Sequence, residues 1–184
     1  MVIGPPVGKY SPTFSSKSNK LMFKSQYLFI GIVGVFMTVI STIPIQSRLI
    51  WNRTQSAPLG LYWLTKQAPV VGDLALISAK SDEAIWAQNH GYTGPKWPLL
   101  KLVSATQDDV ICRVDEQIII NNSHIAITLS YPQDLPKWEG CFKLGNDERF
   151  LLNPHPHSLD GRYFGLTNQQ DIEGKLIPIW TYTP

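Results

Sequence analysis

Acidic side chains are missing from the first 24 residues of this 184-residue chain, and charge of either sign is missing from the next stretch, Ser25 to Ser47. The first absence leaves Lys9, Lys17, Lys20 and Lys24 unopposed, while the rest of the chain holds 12 basic and 14 acidic residues. A slightly acidic body excludes nucleic acid as the main partner. The second absence, "SQYLFIGIVGVFMTVISTIPIQS", meets the roughly 20 mostly apolar residues that a membrane-spanning helix needs. A buried core helix usually keeps a polar face. A cleaved secretory signal has an apolar region of about 7–15 residues followed by an A-x-A-like site, and "VISTIPIQSR" offers none. The pattern predicts an uncleaved, single-pass transmembrane anchor over 25–47. The basic tail 1–24 stays in the cytoplasm, and residues 48–184 lie outside. In a diderm bacterium that is an inner-membrane protein with a periplasmic domain, and the lipid bilayer is its first expected partner. Residues 1–20, rich in Pro, Gly and Ser, are expected to lack fixed structure.

Cysteine is scarce too. Cys112 and Cys141 stand 29 residues apart with no C-x-x-C, which argues against a zinc site. An even count in an oxidising compartment allows a disulfide between them; the other reading is two small buried hydrophobes. Internal repeats are absent, and helical periodicity is nearly so. Beyond the anchor, "GDLALIS", "PLLKLVSA", "DVICRV", "QIIINN", "HIAITLS", "RFLLN" and "KLIPIWTY" are short apolar or alternating runs between turn formers, the pattern of strands. "VICRVDEQIII" reads as a hairpin with Asp115 and Glu116 at its turn. Only "AKSDEAIWAQNHGY" suits a helical turn or two, stopped by Gly91 and Pro95. The expected fold is mostly β, a rolled or partly closed set of sheets with a core of its own.

For chemistry, the stretch "NRTQSAPLGLYW" places Ser56 in a turn just past the anchor. Pro58 fixes its own φ and biases Ala57 towards an extended shape, and Gly60 permits conformations that other residues resist. A serine is a poor nucleophile without a base, and most serines in loops are only that. Histidine is one candidate base: His90, His124, and His155 with His157 in "NPHPHSLD" beside Asp160. A Ser–His–Asp triad is recognised by geometry, so this clustering in sequence carries little weight, and two histidines do not make a metal site. Lysine is the other candidate. Lys101 interrupts an apolar run, and period-two alternation puts it on one face with Leu99 and Val103. Burial would disfavour its ammonium form and leave an amine able to take a serine proton. The local sequence by itself favours the plainer reading, an edge-strand lysine facing solvent.

Several segments, in order, resemble the boxes of the membrane-bound type I signal peptidases. Ser56 in its small-residue turn resembles their nucleophile box, "GDLALI" their Gly-Asp strand box, and "KLVSATQDDV" the box that opens on their general-base lysine, with Asp109 as its aspartate. "SLDGRYFG" resembles their S-x-D-S-R-Y-W-G box. Two departures stand out there: Asp108 occupies a place where the family often has glycine, and Gly161 replaces a serine. Proline two residues after the serine, within N-x-T-x-S-x-P-x-G-x-Y from Asn52 to Tyr62, is similar to the TraF family of conjugative-transfer peptidases. The resemblance implies a signal-peptidase-like β fold in which Ser56 is the nucleophile and Lys101 the general base. The Ser56 N–H and the Thr54 hydroxyl would then serve the oxyanion, and Asp160 would pair with Arg162 in support. It implies no metal and no cofactor. It implies a precursor protein as substrate, most often the conjugative pilin subunit, with the ester on Ser56 open to water or to the substrate's own amine, which would give a cyclic product. A general signal peptidase and a non-catalytic membrane-anchored assembly factor of a conjugation or secretion system are the alternatives. Trp51, Tyr62 and Trp63 are expected either at headgroup level or in the core of the first strand.

Overall fold

The structure is a computed structural model that describes residues 4, 8, 17–42, 48–128 and 135–182. The chain divides into two compact units, Met1–Pro44 and Ile45–Pro184. In the first, a single helix, α1, runs Lys17–Ser41. Among the described residues no helix is long and apolar enough to cross a membrane. Residues 43–47 of the expected anchor lie outside the described residues. The helix starts inside the stretch expected to lack structure, which corrects that boundary. No proline stands between Pro12 and Pro44 to stop it, and Lys, Leu and Met are good helix formers. The described side chains of α1 are exposed, among them Tyr27, Phe29, Ile32, Phe36 and Val39.

The second unit is mostly β, as expected. Its strands are β1 Leu49–Asn52, β2 Leu59–Leu64, β3 Leu74–Ile77, β4 Leu99–Ala105, β5 Val110–Val114, β6 Gln117–Ile120, β7 Ser123–Ile127, β8 Gly140–Lys143, β9 Glu148–Leu151, β10 Leu166–Asn168 and β11 Ile172–Tyr182. All pair antiparallel, in two sheets. The larger has the order β1-β2-β11-β3-β4-β9-β10 and the smaller β7-β6-β5-β8. β4 therefore lies inside the larger sheet, between β3 and β9. This corrects the reading of Lys101 as an edge-strand lysine.

Local chemistry explains the turns. Asp115 takes φ 54° and closes the β5–β6 hairpin at the expected place. Asn121 and Asn122, at φ 47° and 65°, close β6 onto β7, as the paired positive φ of a tight hairpin demands. Asp108 takes φ 71°, so the aspartate that replaces a family glycine adopts the left-handed geometry glycine favours. Its carboxylate meets Lys143 Nζ at 2.8 Å. Asp109 holds the same turn, accepting from the Thr106 N–H at 2.8 Å and from Asn121 Nδ2 at 2.6 Å.

Helix α2, Asp82–Asn89, is capped by the Ser81 hydroxyl, which accepts from the Ala84 N–H at 3.2 Å. Two acidic residues in its first turn suit the helix dipole. A short helix, α3, spans Gly161–Phe164; it was not expected from sequence, nor were β8 and β10, and the one strand expected around Trp51, Tyr62 and Trp63 is two, β1 and β2.

Three apolar clusters form the core. Ala75, Ile77, Ala84, Leu99, Val103, Leu151 and Ile172 pack α2 onto the larger sheet. Ile111, Ile118, Phe150 and Leu152 join the two sheets. Ala57, Tyr62, Leu76, Leu100 and Leu176 pack under the serine turn. Tyr62 thus belongs to the core, while Trp51 stays half-exposed against Trp180, their rings 6.0 Å apart. Cys112 and Cys141 stand opposite each other on β5 and β8 and are joined by a disulfide; no other cysteine is present.

Candidate active site

The six residues between β1 and β2, Arg53 to Pro58, are held by side chains of the flanking strands. Asn52, the last residue of β1, is only 3% exposed. Its Nδ2 faces the carbonyls of Thr54, Ala57 and Pro58, each at 3.0 Å. Its Oδ1 accepts from the Thr54 N–H at 3.0 Å and from Thr54 Oγ1 at 2.9 Å. The Tyr62 hydroxyl adds a bond of 2.6 Å to the Pro58 carbonyl. Half-buried Ser56 sits in this frame with its Oγ 3.3 Å from Thr54 Oγ1. The Thr54 proton is already taken by Asn52, so Ser56 is the donor of that pair. The Thr54 hydroxyl, expected as an oxyanion donor, donates to Asn52 Oδ1 in this structure. The Ser56 N–H has no hydrogen-bond partner among the described residues. Gly60 is required by close approach: a Cβ there would lie 2.1 Å from the Trp180 carbonyl oxygen.

Lys101 comes from the middle of β4 and is 4% exposed. Its Nζ donates to Ser158 Oγ at 3.1 Å. Burial pushes its ammonium pKa down from the ordinary 10.5; Asp160 and Glu83 pull it up, and Arg162 pushes it further down. No hydrogen bond joins Lys101 to Ser56 among the described residues. What the two share is a cleft of about 480 Å³, which both line together with Thr54, Leu99 and Ser158.

Asp160 is fully buried and caps α3. Its carboxylate accepts from the Asn153 N–H at 2.9 Å and the Arg162 N–H at 3.2 Å, and lies 3.7 Å from Arg162 Nη1. Burial raises its pKa; Lys101, Arg162 and the two N–H bonds oppose that. The Arg162 guanidinium spans the carbonyls of Asn153, His155 and Pro156. Asn153 then reaches β4 on both sides of Lys101, donating from Nδ2 to the Leu100 carbonyl and accepting the Leu102 N–H, both at 2.9 Å. The Asp160–Arg162 pair thus acts on Lys101 in two ways, through its charges and through Asn153, which bonds β4 on both sides of the lysine.

Ser56, Thr54 and Lys101 meet at one cleft, with Asp160 and Arg162 behind it. Among the described side chains no histidine is bonded to Asp160. His155 and His157 sit at the cleft rim with rings 5.6 Å apart, His90 stacks on Trp86 at 3.9 Å, and His124 lies on β7. No group of three or more potential metal ligands occurs among the described residues. Sequence reading gave no role to Ser158, Asn153 or Glu83. Ser158 stands two residues before Asp160, so the box that contains both carried a signal. Asn153 and Glu83 carried none. Glu83 is a buried carboxylate on α2 whose Oε1 accepts from the Thr167 hydroxyl. Burial raises its pKa, with the Thr167 bond opposing.

The profile of the family described as "Signal peptidase, peptidase S26" matches residues 23–181. A plasmid transfer protein TraF of Escherichia coli is 29% identical over 146 residues, covering 71% of this chain and 82% of that protein. A second TraF of Escherichia coli is 28% identical with the same coverage. Among solved structures, a signal peptidase I of Enterococcus faecalis V583 matches at 15% identity and TM-score 0.37, over 61% of this chain and all of that one.

Proposed function

This chain belongs to the signal peptidase family, peptidase S26, and from that membership we propose that it is a membrane-anchored serine endopeptidase that matures an exported precursor by a Ser56–Lys101 dyad. The observation that carries the reading is Lys101. A lysine 4% exposed inside a central strand, with its ammonium disfavoured by burial, fits a general base at the rear of a cleft that Ser56 also lines.

In this mechanism Ser56 Oγ attacks the scissile carbonyl and its proton passes to Lys101 Nζ. The Ser56 N–H donates to the oxyanion; one such donor is typically worth about 2.7–4 kcal/mol. Thr54 becomes a second donor only if its proton leaves Asn52. Collapse expels the leaving amine, which takes the proton back from Lys101, and an ester remains on Ser56. Water, with Lys101 again as base, hydrolyses it; an amine of the substrate held beside it forms a peptide bond instead. Asp160 and Arg162 fix Asn153 and with it the strand that carries Lys101.

The likeness to the TraF proteins supports a role in plasmid transfer, and within that reading the pilin subunit is the proposed substrate. The uncharged stretch Ser25–Ser47 supports an inner-membrane anchor with residues 48–184 in the periplasm. Exposed Leu49, Trp51, Ile179, Trp180 and Tyr182 support a domain that works at the lipid surface. There, anchoring raises the effective concentration of a tethered substrate.

Intact-mass profiles of exported proteins from cells carrying wild type, Ser56→Ala or Lys101→Ala test this. Both variants should accumulate the precursor. Normal product with Lys101→Ala would return the base to the histidines, and normal product with both would make the chain a non-catalytic assembly factor. A product lighter than the linear form by one water would identify cyclisation.

A further inference from the structure

Asn52 is saturated in a way that an ordinary turn asparagine is not. A side-chain amide has two N–H donors and an oxygen with two lone pairs. Here the nitrogen faces three carbonyls and the oxygen two donors from Thr54, so its orientation is unambiguous. The three carbonyls belong to residues on both sides of Ser56. They bracket the serine backbone from position 54 to position 58.

The oxygen has a second consequence. By taking the one Thr54 hydroxyl proton, it leaves Thr54 Oγ1 presenting a lone pair towards Ser56 Oγ, 3.3 Å away. Ser56 then donates, and its rotamer is held by a partner that is itself held. Lys101 meanwhile is bonded to Ser158. The nucleophile and the base thus rest in two separate networks, and the serine network ends on Asn52.

We infer that Asn52 is a positioning residue for Ser56, acting through the Thr54 hydroxyl and through the carbonyls that flank the serine. The inference rests on Ser56 being the nucleophile. A displacement of about 1 Å at a reacting atom can cost on the order of 10²-fold in rate, and loss of Asn52 frees both the turn and the serine rotamer.

The test uses the full chain in mild detergent and p-nitrophenyl acetate as an acyl donor. Release of nitrophenolate gives the acylation rate, and mass spectrometry locates the acetyl group. Asn52→Leu should slow acylation of Ser56 by on the order of 10²-fold, with the ester concentration at half-maximal rate changed by less than about 3-fold. Thr54→Val should also slow it. The double variant should be no slower than Asn52→Leu, because the two residues act in one relay. Leu176→Ala, in the same core cluster, should lower the melting temperature without changing the rate below the melt. A wild-type acylation rate in folded Asn52→Leu overturns the inference, and multiplicative effects of Asn52→Leu and Thr54→Val overturn the route through Thr54. Should Asn52→Leu not fold, Asn52→Asp keeps the acceptor and loses both donors. It must still slow acylation, and an unchanged rate there overturns the inference too. If wild type and Ser56→Ala behave alike, the nucleophile assignment falls and the inference with it.

Discussion

Replacing Lys101 by methionine should make the stability of this protein respond differently to pH, in a direction fixed by the structure. Lys101 is buried at 4% exposure, and burial holds its ammonium pKa below 10.5. Between the folded value and 10.5, the unfolded chain binds a proton that the folded chain does not. In that window the stability of the wild type rises with pH by about 1.4 kcal/mol per unit from this group alone. Above 10.5 neither state holds the proton, and below the folded value both do, so the contribution is flat on either side. Stability from Lys101 is therefore complete at high pH and is lost as pH falls to the folded pKa. Methionine has a similar shape and no proton to bind, so the difference between wild type and Lys101→Met should climb with that slope in the pH units just below 10.5. Removing the Nζ donor from buried Ser158 costs about 1–3 kcal/mol, nearly independent of pH. It shifts the difference curve without tilting it, so the slope is the diagnostic. Asp160 and Glu83 remain in both proteins. Urea melts of the full chain at a series of pH values measure this. All six tryptophans lie between Trp51 and Trp180, so their fluorescence reports the β unit. Parallel stability curves, or a slope of the opposite sign, would refute the argument that burial sets the protonation of Lys101.

Asp160→Ala strips the carboxylate from buried Arg162 and from the Asn153 N–H, and should cost about 3–5 kcal/mol in urea melts; a loss under about 1 kcal/mol would remove Asp160 as the support of this corner. Gly161→Ser restores the hydroxyl of the family box, but a Cβ there lies 2.8 Å from both the Leu151 carbonyl oxygen and the Phe150 ring. A loss of about 1–3 kcal/mol is expected, and an unchanged melting temperature would show that α3 shifts freely. Replacing Cys112 and Cys141 together by serine opens a loop of 29 residues, worth about 3.5 kcal/mol in the chain-entropy account. A mobility shift of the wild type on reduction, absent in the double variant, checks the bridge, and wild-type stability of the double variant would contradict the account.

Where sequence reading succeeded and where it stopped follows from how far each determinant acts along the chain. The hairpin at Asp115, the short helix before Gly91 and the strand around Lys101 each rest on neighbours within a few residues, so alternation and turn formers reveal them. The division of the first strand into β1 and β2 was hidden because the serine motif that separates them carries no alternation. β8 was hidden because it is four residues at an edge of the smaller sheet, with hardly a buried side chain to mark it. The candidate base shows the limit most clearly. A lysine in an apolar run has the same local pattern whether its strand lies at an edge or inside. Only the sheet order, β3 on one side and β9 on the other, turns Lys101 from a solvated cation into a buried side chain whose ammonium form is disfavoured. The groups that hold it come from far along the chain: Asn153 is 51 residues from Leu102 and Ser158 is 57 from Lys101. Hydrogen bonds over such separations leave no periodicity to read. Asn52 is the opposite case, since every partner lies within six residues. Its position at the head of N-x-T-x-S-x-P-x-G-x-Y was visible, but the motif does not show which way an amide points. The turn carbonyls give that direction, and so make one asparagine both the clamp of the turn and the acceptor that sets the Thr54 hydroxyl.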